Sequence, residues 1–97
     1  MTYLHDHTDD ADLSSTGTLL ELKTEEATTV TAIVEASVAS SFAIDVDLGN
    51  GWRTGFRTYD STDAVADTIS VAARRVRIRN TAGQTAGDTA TVDLGAA

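Results

Sequence analysis

The chain has 97 residues, 15 acidic side chains against 7 lysines and arginines, and a net charge of −8. That length makes one domain, and the acidic balance excludes the basic footprint that a nucleic-acid backbone requires. With no cysteine, disulfides, thiolate metal sites and thiol nucleophiles are excluded too.

The hydrophobic fraction is 41%, but alanine supplies 15 of those residues. A core built largely from alanine is lean at this size, so support from neighbouring copies is expected and the chain reads as a homo-oligomer. Lys23 is the sole lysine; the other cations are arginines. Acid excess with scarce lysine matches proteins that work in concentrated salt, where carboxylates keep their hydration while salt screens longer-range charge. The opening residues Met1–Asp6 carry no basic and apolar leader pattern. No run approaches the ~18 apolar residues of a membrane span, so no membrane partner is expected.

Residues 1–16 are polar and acidic, with His5, Asp6, His7, Asp9, Asp10 and Asp12. They read as an arm anchored by Tyr3, Leu4 and Leu13, followed by a single domain over residues 17–97. Gly17 opens a strand over residues 18–23, with Leu20 and Leu22 on one face. A longer strand spans residues 28–37, where Val30, Ala32, Val34 and Ala36 share a face. Its β-branched residues and period of two argue against a helix. Residues 37–41 form a small-residue link.

Residues 41–59 hold the strongest pattern. Phe42, Ile44, Val46 and Leu48 alternate with Ala43, Asp45 and Asp47; then come Gly49-Asn50-Gly51 and a second arm containing Trp52, Thr54, Phe56 and Thr58. This spacing predicts two antiparallel strands with one buried face. Asn-Gly is expected to supply the left-handed backbone of the turn, and Phe42, Trp52 and Phe56 are expected on one face. Residues 60–63 read as a turn cluster. Further strands are expected at residues 67–71, at residues 75–80 (where Val76 and Ile78 point in and Arg75, Arg77 and Arg79 point out) and at residues 88–94. The sum is an all-β, antiparallel β-sandwich of jelly-roll or immunoglobulin-like type with about seven strands.

Little in the chain carries catalytic chemistry. His5 and His7 with nearby carboxylates could hold a divalent ion, but a polar arm favours solvated side chains, and no metal or other cofactor is expected. With no histidine after position 7, a Ser-His-Asp arrangement is not expected, and the chain is read as a non-enzyme. The arginines of residues 75–79 could bind an anion or glycan, pair with acids such as Asp45, Asp47 and Asp93, or bridge to a neighbouring subunit. Trp52 is read as core in preference to a sugar platform.

Ser41-Phe42-Ala43-Ile44-Asp45-Val46-Asp47, Gly51-Trp52, the run Ala73–Gly83 and Ala86-Gly87-Asp88-Thr89-Ala90 together resemble small β-sandwich proteins of tailed viruses and proviruses of halophilic archaea, over about residues 28–95. The resemblance implies a virion structural protein, a head decoration or turret component made in the host cytoplasm and placed on the capsid surface. Its implied partners are the major capsid protein or other virion proteins. Tyr3, Leu4, His5, His7, Arg75, Arg77 and Arg79 are the candidate interface residues. The Arg-Val-Arg-Ile strand is also similar to a strand of discoidin-type carbohydrate-binding sandwiches, which implies a glycan- or receptor-binding module as the alternative.

Overall fold

The computed structural model describes residues 3–97. Six strands follow one another: β1 (Leu4–Asp12), β2 (Gly17–Lys23), β3 (Thr29–Asp47), β4 (Trp52–Ser70), β5 (Arg75–Asn80) and β6 (Thr89–Ala96). All neighbours are antiparallel, in the order β1-β6-β3-β5-β2, with β4 on the other side of β3. Among the described residues there is no helix.

β3 and β4 are 19 residues each and form one long, bent hairpin. The first part of β3 pairs with β6 through Val30–Ala36, and the last part pairs with β5 through Phe42–Asp47. The bend falls between Glu35 and Phe42, where the β3–β4 register shifts. The sheet thereby folds into two layers, a β-sandwich close to a barrel. One layer holds β1, β6, the start of β3 and the end of β4. The other holds β2, β5, the end of β3 and the start of β4. The small-residue link at 37–41 and the turn cluster at 60–63 are thus continuous strand. Small side chains allow β3 to bend, and Ser61 takes a left-handed φ of 51° opposite it. Four of the seven expected strands merge in pairs, and residues 4–12 add an unexpected strand, which makes six.

Alternation fills the interior. Val30, Ala32 and Val34 face Val92 and Leu94 within one layer, while Phe42, Ile44 and Val46 sit beside Val76 and Ile78 in the other; all are buried. A polar staple closes the bend. Asn80 is fully buried, donates to the carbonyls of Leu13 and Ser15 at 3.1 and 2.9 Å, and accepts from the Ser40 hydroxyl at 2.7 Å. Burying an amide is tolerated only when it is satisfied in this way.

Three expectations need correction. Residues 4–12 are not a loose arm but strand β1, paired with the edge of β6. A register shift between Thr8 and Ala11, with Asp10 at a φ of 55°, breaks the period of two and hides the strand from a pattern search. Leu13 does anchor this segment and is fully buried. The aromatic trio is also divided. Phe42 is in the core, Trp52 lies on the outer face, and Phe56 is 37% exposed. Finally, Gly49 and Gly51, not Asn50, hold the positive φ values of the turn, at 121° and 100°.

The division of the aromatics sets a stability contrast. Phe42→Ala should cost about 3–5 kcal/mol in denaturant unfolding, and Phe56→Ala less than about 0.5 kcal/mol. Similar losses for both would contradict the placement of Phe56 at the surface.

Candidate functional site: two oppositely charged faces

Charge is sorted between the layers. The strands of the first layer carry Asp6, Asp9, Asp10, Asp12, Glu35, Asp67 and Asp93 and not one lysine or arginine. The strands of the second carry Lys23, Arg53, Arg57, Arg75, Arg77 and Arg79 against Glu21, Asp45 and Asp47, and Asp60 and Asp63 stand exposed where β4 bends between the layers.

The outer face of the second layer is an ion-pair lattice built by register. Asp45 stands opposite Arg77 and Asp47 opposite Arg75 on paired β3 and β5, and Glu21 of β2 stands opposite Arg77 from the other side. Asp45 is fully buried. Its carboxylate accepts from the guanidiniums of Arg77, at 2.8 Å, and Arg79. It also accepts from the backbone amide of Gly55 at 2.8 Å. Gly55 delivers that amide from a left-handed φ of 72°, where β4 bulges opposite Asp45. Burial alone pushes the Asp45 carboxyl up, but the bonds from Arg79, Arg77 and Gly55 outweigh it and hold it below the usual carboxylate range.

Asp47 ends the lattice at the turn. It accepts from the amides of Gly49 and Gly51 at 2.6 and 3.2 Å and from Arg75 at 2.7 Å. The Gly49 amide, then Arg75, lower its carboxyl. The Arg75 and Arg77 guanidiniums lie 4.5 and 4.2 Å from the centroid of the Trp52 ring, a cation–π arrangement. Trp52 therefore roofs the arginines and is not a core residue.

The first layer's outer face carries a second cluster. His5 Nε2 and His7 Nδ1 lie 2.9 and 2.7 Å from the same Asp93 oxygen, and His7 Nε2 lies 2.9 Å from Asp9. Carboxylates only accept, so this geometry fits the His7 imidazolium, with both ring nitrogens donating. The Asp93 bond, then the Asp9 bond, raise His7 above its ordinary value. His5, then His7, lower Asp93. Tyr3 is 67% exposed and stacks on His5 with ring centroids 6.2 Å apart. Leu4 packs against the core. Among the described residues no group of three or more histidines and carboxylates is arranged to hold a metal ion.

The candidate interface residues thus divide. Leu4, His5 and His7 belong to β1 at one sheet edge, with Tyr3 just before it, and Arg75, Arg77 and Arg79 to β5 in the other layer. Asp45 and Asp47 are the arginine partners, as the alternating pattern suggests; Asp93 is not, and binds the histidines instead. The Asp93 pairing has no local sequence signal, since 86 residues separate it from His7. The Tyr59 hydroxyl is missed by the pattern because the bend in β4 lies between it and its partner. It donates to Asp67 at 2.6 Å across the two halves of β4, and burial, then Asp67, push it up.

No protein-family model and no curated protein sequence matches the chain. Solved structures share its fold. A protein of Bacteroides thetaiotaomicron VPI-5482, assigned provisionally as an alpha-L-fucosidase, matches with a TM-score of 0.65 and 12% identity, over 94% of this chain and 21% of that one. This chain therefore spans about a fifth of that protein's length. The SPBc2 prophage-derived protein YomS matches with a TM-score of 0.61 and 12% identity, over 99% of this chain and 95% of that one. A protein of Bacillus endospore appendages, from a family of disulfide-linked pili, matches with a TM-score of 0.59 and 10% identity, over 98% and 87%. At these identities the likeness is one of fold.

The two clusters give stability opposite pH limits. Asp45, Asp47 and Asp93 are lowered, so their contribution is present above the ordinary carboxylate value and lost as pH falls through their folded values. His7 is raised, so its contribution is full below about 6.5 and lost as pH rises through its folded value. His7→Gln should flatten the alkaline limb of a plot of Tm against pH and leave the acid limb in place; an unchanged alkaline limb would contradict the bridge. Asp45→Asn should cost about 2–3 kcal/mol in denaturant unfolding, less than a fully buried pair because both guanidiniums keep some water. An effect near zero would show that the lattice is not under tension from its buried charge.

Proposed function

We propose that this chain is a structural protein of a virion, acting by protein–protein docking in many copies. In its finer form the reading is a capsid decoration or turret component of a tailed virus of halophilic archaea, placed on the particle surface against the major capsid protein. The observation that carries it is the end-to-end match to a prophage-derived protein, 99% of this chain on 95% of that one. The appendage protein supports the same class of role through its comparable coverage. The acid excess with a single lysine supports the halophilic setting.

The surface chemistry fits docking better than turnover. The guanidiniums of β5 are held by carboxylates, and the histidines of β1 by Asp93 and Asp9. A glycan-binding role needs a free aromatic platform. Trp52 already carries two guanidiniums, and the Tyr59 hydroxyl is committed to Asp67, so neither is free to serve as that platform.

Mass spectrometry of particles purified from cells that express the gene tests the reading. The chain should appear in the particle fraction in a fixed ratio to the major capsid protein. Recovery only from the cell lysate would refute the structural role. The halophilic half has its own measurement. The Tm should rise steadily as KCl increases from about 0.2 to 3 M, since screening relieves repulsion among the carboxylates. A flat or falling Tm would remove it.

A further inference from the structure

We propose that copies of this chain associate head to tail, the basic edge of one sandwich seating on the acidic edge of the next. The occupant of each edge is a second copy of the chain. The inference goes beyond the virion reading and does not rest on its halophilic form, because a contact between charged edges weakens as salt is added.

The two edges are opposite sides of the same molecule. β1 pairs only with β6, and β4 pairs only with β3, so each borders its layer at the far end from the other. The start of β4 carries Arg53 and Arg57, both exposed and, unlike Arg75, Arg77 and Arg79, in no ion pair among the described residues. Beside them stand the exposed apolar side chains of Phe56 and, in the turn, Leu48, at 37% and 61%. The Arg57 guanidinium lies 4.8 Å from the centroid of the Phe56 ring. On a chain of net charge −8, an edge with two free guanidiniums and an aromatic ring is the exception.

β1 offers the complement. Asp6, Asp9, Asp10 and Asp12 are all exposed, and a bulge at Asp10 interrupts the β1 ladder. That bulge blunts β1 against ladder extension, so the contact is between side chains and not a shared sheet. Two acidic edges repel each other, as do two basic ones, which excludes a self-matching two-fold pairing of either edge. The complementary pairing is heterologous and repeats from copy to copy, giving a ring or a filament.

Sedimentation velocity on the full chain tests this. In about 0.05 M KCl the average mass should exceed the monomer and rise with concentration, and the association constant should fall at least about tenfold by 0.5 M KCl as screening sets in. R53E/R57E and D6K/D10K should each be monomeric under the same conditions, with unchanged circular dichroism. Their equimolar mixture should associate again, because the reversed edges complement each other; a misfolded variant could not do this. A wild-type monomer at every concentration in low salt would overturn the proposal. So would wild-type association in either variant, or a mixture that stays monomeric. None of these outcomes bears on whether the chain is found in particles, so the two readings fail separately.

Discussion

Asp45 is the point on which the second layer is fixed. One buried carboxylate receives two guanidiniums from β5 and a backbone amide from β4, so a single charge ties three strands. An unpaired carboxylate at that depth would be strongly unfavourable. The bulge at Gly55 and the register of β5 therefore both have to be right for the layer to close. The attraction is between groups in direct contact around a carboxylate shielded from water, which leaves it less open to salt than a surface pair. A chain rich in surface acids keeps this one ionic cluster out of reach of that screening.

The lattice also explains how a lean interior suffices. Valine and alanine fill much of the space between the layers, and such side chains give little area each. The second layer gains its rigidity from outside, through arginine stems laid across Trp52 and carboxylates set beneath them. The first layer has a lighter counterpart in the two histidines gripping Asp93 across β1 and β6. Each face is thereby fastened by side chains from neighbouring strands, and the core is left to exclude water.

Much of this was legible in the residues. The strict alternation of Arg75–Arg79 and of Phe42–Asp47 defines which side chains face outward, and the structure keeps that assignment. The all-β class follows from the same period of two. What could not be read was wherever the period breaks. The bulge at Asp10 conceals β1, and the register of the β3–β4 turn, which sets Trp52 opposite the outward Asp47, puts Trp52 and Phe56 outside although their alternation suggests the interior. The bend in β3 and β4 resembles a pair of loops because small and polar residues serve equally well to turn a chain and to let a strand curve. The Asp93–His7 contact depends on tertiary closure of the two ends of the chain, which no local rule contains.

The bent hairpin has a mechanical consequence. Because β3 and β4 each run through both layers, the layers are joined by covalent backbone along the same side and have no hinge between them. They cannot slide past one another without rupturing ladder bonds in both. Force on either face is carried into the whole body at once.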